Sequence, residues 1–288
     1  MSSPPPAPIP GPRDADREAN VVDEHDSPAV LDYGWWASNG PTGGYLTSLA
    51  IDVACGATGI SSSWARSVDL HVIRLAAAGP YRTTVSVVAG PTRINLATVT
   101  FAQGEPFAIS TVYFGPSRGA SGAGDAKPPA VLPPEVYAEM TVGVRSPPVM
   151  QQFSYRPTTP ADGQSAKDGW DLVWVRALGP TPPGRVGILR LVDCWYPPNH
   201  MRVVRKHLAG GAQLTEPPAV NLLAASVHLP GAEDAYTTDE PILVANRLDT
   251  ITEGHYYERA EAWSLSGQPL LTATLLRRNE QTPPIVRP

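Results

Sequence analysis

The chain has 288 residues, a formal net charge of −5 and 42% hydrophobic residues, values ordinary for a globular protein of one large or two smaller domains. This charge lacks the basic footprint of a nucleic-acid-binding protein, and no apolar run reaches the roughly 18 residues that a membrane helix needs. Two cysteines are too few for a disulfide framework, so the composition indicates a reducing, cytoplasmic setting.

The first 29 residues differ in composition from the rest of the chain. They are rich in proline and charged side chains and lack the basic-then-apolar pattern of a signal peptide. Residues 1–29 are therefore predicted to form a disordered leader. The apolar and aromatic stretch 30–36 follows and predicts a short strand that leads into the first helix.

Residues 42–59 predict the helix around which we expect the fold to be organised. A cluster of turn-forming residues at 39–44 suits the start of a helix. Because long charged side chains are scarce in 42–59, we expect a buried helix that Gly56 or Gly59 can end. The apolar residues recur at the spacing of a helix with one broad apolar face, at Tyr45, Leu46, Leu49, Ala50, Val53 and Ala54.

Strand-like runs dominate the remainder of the first half. Low-complexity residues at 115–134 then predict a linker, and 147–168, rich in Pro, Gln, Ser and Asp, is predicted to be irregular. We therefore expect an N-terminal domain at 30–114 and a linker region at 115–168. Alternating or β-branched patterns predict the four strands of the N-terminal domain at 67–75, 81–89, 92–101 and 107–114.

The second half repeats the element order of the first. A Gly-x-Pro turn precedes the last strand of each half, at 104–106 and at 267–269. This order predicts a duplicated domain, with the second copy at 169–280 and a tail at 281–288. The alternative is that the halves share only what all β-hairpins have in common. The predicted elements are a strand at 170–177, a helix candidate at 186–208 that Pro197-Pro198 interrupts, and strands at 220–229, 241–249, 255–263 and 270–277.

A helix wrapped by a curled antiparallel sheet, used twice in one chain, resembles the double hotdog fold of the acyl-CoA thioesterase II-like (TesB-like) family. This is an α+β fold with two tandem repeats. The resemblance implies hydrolysis of an acyl-CoA or acyl-carrier thioester to a free acid, in lipid metabolism, with no cofactor or metal. It covers most of 30–114 and 170–280, and its stretches are 39–46 (NGPTGGYL), 67–114 with Arg74 and Arg93, and 191–198 (LVDCWYPP).

The resemblance also implies a site in which an Asp, a Thr or Ser, and a Gln hold a water molecule against the thioester carbonyl. Asp193 matches the Asp, although a helix N-cap or a solvated acid is the other interpretation of this residue. The Thr position falls at Asn221 or Ser226, and the Gln position falls at Leu275 and Leu276. Because leucine cannot hydrogen-bond water, the alternative function is a catalytically weak or silent acyl-thioester binding protein of lipid or polyketide metabolism.

The start of the first helix is expected to contact the substrate through Gly43, Gly44 and Tyr45. Backbone N–H groups near Gly44 or Gly187 would stabilise the developing oxyanion.

Three more side chains are candidates for substrate binding. Trp36 is expected either to pack in the core or to border an acyl tunnel, and His71 and His228 are expected to line the acyl or pantetheine channel. Histidines that only pack on a strand face are the alternative. The candidates for binding the CoA phosphates are Arg74, Arg93, Arg202, Arg205 and Lys206.

Other chemistries find little support in the sequence. The histidines lack zincin spacing, and Gly119-Ala120-Ser121-Gly122-Ala123 lies in the predicted linker and fails the Gly-x-Ser-x-Gly pattern at its last position, so the sequence predicts neither a metal site nor a serine nucleophile. The Asp–His motif of hotdog hydratases is also missing. Exposed strand edges make a homo-oligomer possible.

Overall fold

A computed structural model of the chain describes residues 22–37, 39–89, 95–116, 127–144, 146–158, 169–182, 184–195, 220–230 and 240–279. Within these ranges lie two α-helices, α1 (Gly43–Thr58) and α2 (Gly184–Leu189). The strands are β1 (Val22–Leu31), β2 (Ala65–Val72), β3 (Gly79–Ala89), β4 (Asn95–Gln103), β5 (Glu105–Phe114), β6 (Phe153–Pro157), β7 (Trp170–Ala177), β8 (Val220–His228), β9 (Ile242–Thr252), β10 (His255–Trp263) and β11 (Pro269–Asn279).

All eleven of these strands form one antiparallel sheet, in the order β1-β3-β4-β5-β2-β8-β11-β10-β9-β7-β6. The two halves of the chain join where β2 pairs with β8, from Ser67 opposite His228 to His71 opposite Ala224. The strand order β1-β3-β4-β5-β2 on one side of this junction recurs as β7-β9-β10-β11-β8 on the other. The described part of the chain contains no helix long and apolar enough to cross a membrane.

Helix α1 lies against the core face of the sheet, and its bounds confirm the helix predicted at 42–59. Thr42 caps its start by accepting a hydrogen bond from the Tyr45 N–H, and Gly59, at φ 67°, ends it in the left-handed conformation. A Cβ atom on Gly44 would lie 2.3 Å from the carbonyl oxygen of Val192. Glycine at this position therefore lets the start of α1 approach the backbone that follows α2.

The structure corrects two predictions in the first half of the chain. Strand β1 begins at Val22 and pairs with β3, so the predicted disordered leader is wrong from Val22 onward; residues 1–21 lie outside the described residues. Backbone hydrogen bonds to a neighbouring strand, which composition does not reveal, order this polar segment. The predicted strand at 30–36 is wrong beyond Leu31, because Tyr33–Trp35 form a 3-10 turn that Asp32 caps.

The second half holds one strand that the sequence pattern missed. The prediction of irregular structure at 147–168 is wrong for β6, in which Phe153 and Tyr155 are buried in the core. Five residues among prolines and glutamines are too few for their alternation to be recognised. Of the helix candidate at 186–208, α2 and the turns that follow to Trp195 are described. The rest of this candidate lies outside the described residues, as do 117–126 and 159–168 of the predicted linker region and the whole tail.

Candidate active site

Asp193 belongs to the turn that follows α2, and its side chain lies beside the start of α1. Its backbone adopts the left-handed conformation, with φ 68°, and its side chain is 5% exposed. One carboxylate oxygen, Oδ2, accepts a hydrogen bond from the Gly43 N–H at 3.3 Å. The other, Oδ1, accepts from Arg277 Nη2 at 2.6 Å. The carboxylate therefore sits at the positive end of α1, where a negative charge is stabilised.

Arg277 links Asp193 to a second buried carboxylate, that of Glu258. The Arg277 Nε lies 2.8 Å from Glu258 Oε1, with the two side chains 11% and 5% exposed. Arg277 shares the core face of β11 with Ala273 and Leu275, whereas Thr274 is exposed. The site thus contains a buried array of two carboxylates and one guanidinium, which we call the Asp193–Arg277–Glu258 array.

The sequence analysis missed Arg277 and Glu258. It placed the family's Gln at Leu275 and Leu276, one or two residues before the side chain that reaches Asp193. A signal was present, because each charged residue occupies the parity of its strand that is otherwise apolar. Glu258 lies on the same face of β10 as Tyr256 and Ala260, which are both buried.

Asn221 enters the site from the start of β8. Its Oδ1 accepts a hydrogen bond from Asn39 Nδ2 at 3.2 Å. The pairing of β8 with β11 shifts between Leu276 opposite Ala224 and Arg277 opposite Leu222. This β-bulge changes the direction of the strand next to the site, so that both Asn221 and Leu222 line the cleft described below.

A cleft with a volume of about 30 Å³ lies beside Asp193. This is room for about one water molecule. The carboxylate, the Asn221 amide and the Arg277 guanidinium supply polar groups of both kinds, acceptors and donors, to such a water. The lining residues are Ala37, Asn39, Gly40, Pro41, Leu46, Val72, Arg74, Leu75, Ala76, Phe107, Asp193, Asn221, Leu222 and Arg277.

Ser226, His71 and His228, which were predicted for the site, lie on β2 and β8 and do not line this cleft. Ser226 lies opposite Asp69 in the β2–β8 pairing and donates a hydrogen bond to Asp69 Oδ1 at 2.5 Å. His71 and His228 are exposed on the same two strands. Successive side chains on a strand alternate between faces, so these residues point away from the core face that holds Val227 and the site.

Tyr45 and Trp36 are buried in the core and do not line the cleft. The Tyr45 ring stacks on Trp35 with centroids 5.7 Å apart, and its hydroxyl accepts from the Asp32 N–H at 3.3 Å. Burial raises the pKa of Tyr45. The Arg190 guanidinium lies 4.4 Å from the centroid of the Trp35 ring. This aromatic cluster fixes the loop before α1 and so supports the position of the helix start.

The remaining candidates are the basic side chains and the oxyanion donors. Arg74 is exposed and lines the cleft, so it is available to a bound ligand. Gly187, the second predicted oxyanion position, lies within α2. Among the described residues, no cluster of three or more His, Cys, Asp or Glu side chains could hold a metal ion. The candidates outside the described residues are Arg93, Arg202, Arg205 and Lys206.

The fold is similar to that of several solved proteins. A conserved protein with a hotdog fold from Alicyclobacillus acidocaldarius aligns at TM-score 0.73 and 20% identity, over 91% of this chain and 96% of that one. A candidate thioesterase II from Thermobifida fusca aligns at TM-score 0.70 and 17% identity, over 91% and 96% of the two chains. An acyl-CoA thioesterase II from Mycobacterium marinum aligns at 0.58 and 16%, over 82% and 88%.

Sequence comparison adds nothing to these structural matches. No family model matches this chain, and no curated protein shows significant similarity to it. At such low identities the structural matches establish the fold, a hotdog fold with a large antiparallel sheet and few helices. The resemblance to thioesterase-like hotdog proteins that the sequence predicted is confirmed at this level.

Proposed function

We propose that this protein hydrolyses an acyl-CoA thioester to a free acid and CoA at the cleft beside Asp193. One observation carries the proposal: a buried carboxylate, an amide and a guanidinium line a space for about one water molecule at the positive end of α1. Thioester hydrolysis without a covalent intermediate needs such a water, together with a base to activate it. The hotdog neighbours that are thioesterases support the proposal at the level of fold.

In the proposed reaction, a water held by Asp193 and Asn221 attacks the thioester carbonyl carbon. Asp193 takes a proton from the water as the new carbon–oxygen bond forms. Collapse of the tetrahedral intermediate breaks the carbon–sulfur bond, and the proton passes to the departing sulfur, giving a thiol and an acid. Donors at the start of α1, with Gly44 as the predicted position, would stabilise the oxyanion.

We also propose that the fold is a double hotdog produced by duplication. The recurrence of one strand order on both sides of the β2–β8 junction supports this proposal. In this division the N-terminal hotdog, predicted at 30–114, begins with β1 at Val22, and the C-terminal hotdog is 169–280. Asp193 would belong to the second copy and accept its backbone hydrogen bond from the first, at Gly43. Each copy alone would then hold an incomplete site.

A second function, acyl-thioester binding without hydrolysis, is favoured by one feature of the site. Both oxygens of Asp193 already accept hydrogen bonds, from Gly43 and Arg277, so the carboxylate is engaged before any water binds. A carboxylate held in this way serves well as a fixed helix cap. In this function the thioester of an acyl-CoA or acyl-carrier protein would bind beside the cleft and be released unchanged.

The test is thiol release from acyl-CoA substrates with chains from C2 to C18. Asp193→Asn keeps the shape of the side chain and removes its charge, so we expect kcat to fall by about 100-fold or more. Asp69→Asn is the matched control, because Asp69 pairs with Ser226 away from the cleft, and it should turn over like the wild type. Asn221→Ala should also lower kcat.

The outcomes separate the two functions. Turnover by the wild type that Asp193→Asn leaves unchanged would contradict the assignment of the site. No turnover on any chain length, combined with saturable acyl-CoA binding, would favour the binding function. Loss of activity in Asp69→Asn as well would show that the effect of Asp193→Asn is not specific to the cleft.

A further inference from the structure

The Asp193–Arg277–Glu258 array places three charged side chains in the core, where such side chains are rare. Its side chains are between 5% and 11% exposed, and Glu258 and Arg277 share the core face of their strands with buried apolar residues such as Leu275. Two carboxylates share one guanidinium in the array. Removing three charged groups from water costs several kcal/mol per ion, and well-packed apolar residues are often as stable or more so. Stability therefore gives no reason for this arrangement.

The proposed reaction assigns no direct role to Glu258, because this residue does not line the cleft. What it contacts is the Nε of Arg277, at 2.8 Å, while Nη2 of the same guanidinium reaches Asp193 at 2.6 Å. An arginine side chain has many rotamers but a rigid planar head. Fixing Nε from one side therefore sets the direction in which the Nη groups point.

We propose that Glu258 is a positioning residue, which holds Arg277 so that its guanidinium fixes the Asp193 carboxylate at the cleft. This inference rests on the proposed hydrolysis, because it assigns a role in that reaction. The series of contacts begins at Glu258 on β10, passes through Arg277 on β11 and ends at Asp193, beside the start of α1. Glu258 lies opposite a β-bulge in β9, where Asp249 is the extra residue and the pairing of β10 with β9 shifts between Tyr257 and Glu258. Such bulges re-aim side chains next to functional sites.

The kinetic test compares Glu258→Ala and Glu258→Gln with the wild type. Alanine removes the carboxylate that lies against Arg277 Nε, so kcat should fall by about tenfold while KM changes less than about twofold, because misplacing a catalytic group by a fraction of an ångström affects chemistry more than binding. Glutamine still offers an oxygen to Arg277 Nε and should recover part of the rate. Glu261→Ala is the matched control on the same strand, since its carboxylate contacts Trp263.

A double-mutant cycle tests whether Glu258 acts through Arg277. In an Arg277→Gln background no guanidinium remains to be held, so adding Glu258→Ala should lower kcat by less than about twofold. Equal losses from Glu258→Ala in both backgrounds would overturn the proposal, as would wild-type kcat in both Glu258 variants. Either result leaves the proposed hydrolysis standing.

A second readout does not depend on turnover. The Arg277 Nε–H signal in a nitrogen-15 NMR spectrum of the full chain should be protected from exchange in the wild type and in Glu258→Gln. It should lose that protection in Glu258→Ala. Unchanged protection in Glu258→Ala would overturn the proposal. Absence of turnover in the wild type would instead overturn the proposed hydrolysis, and the NMR result would still decide whether Glu258 holds Arg277.

Discussion

Replacing Arg277 with leucine should destabilise the protein strongly. Leucine leaves Asp193 without its 2.6 Å partner and Glu258 without its 2.8 Å partner, and both carboxylates are 5% exposed. Asp193 keeps the hydrogen bond from the Gly43 N–H. Removing one member of a buried ion pair costs about 3–5 kcal/mol, because an uncompensated charge stays in the core. At roughly 2–4 °C per kcal/mol, the melting temperature should fall by about 6–20 °C.

Thermal unfolding followed by circular dichroism measures this effect directly. Arg259→Leu is the control: Arg259 lies on β10, its side chain is 46% exposed, and it is 3.4 Å from Asp249. An exposed pair contributes only about 0–1 kcal/mol, so this variant should melt close to the wild type. Adding Glu258→Leu to Arg277→Leu should restore part of the loss, because it removes a buried carboxylate that no longer has the Arg277 guanidinium beside it. If Arg277→Leu melts no lower than Arg259→Leu, the buried array does not exist as described.

Three further predictions concern helix α1 and the residue after Asp193. Gly44→Ala places a Cβ 2.3 Å from a backbone oxygen and should lower the free energy of unfolding in urea by at least about 1–3 kcal/mol. Gly56→Ala is its control: a Cβ there has nothing within 4 Å, so this variant should be more stable by up to about 1 kcal/mol. Equal effects of the two substitutions would contradict the close approach at Gly44. Thr42→Ala should cost about 1 kcal/mol and Thr42→Ser almost nothing, since serine keeps the cap. Burial raises the pKa of the Cys194 thiol, so iodoacetamide should label half-buried Cys55 in the native protein and reach Cys194 in denaturant alone; native labelling of both at similar rates would refute this.

Much of the fold was readable from local sequence patterns. The cap at Thr42, the apolar spacing through Ala54 and the terminal Gly59 define α1 without reference to any other part of the chain. Strands such as β7 and β10 match their predicted bounds, because a run of eight or nine residues rich in β-branched and aromatic side chains is a strong signal. Strands β1 and β6 were missed because pairing with a neighbouring strand orders them more than their own composition does.

The sequence by itself determined the helix, most strands and the recurring order of elements, and the family resemblance singled out Asp193 as the candidate acid. Only the tertiary structure showed what surrounds that acid. The Asp193 carboxylate meets Gly43, 150 residues earlier in the chain, and Arg277, 84 residues later. Parity along β10 and β11 indicates that Glu258 and Arg277 face the core, but a period of two carries no information about which distant groups they meet. That choice follows from the sheet register and the bulge in β8, which depend on packing across the whole chain.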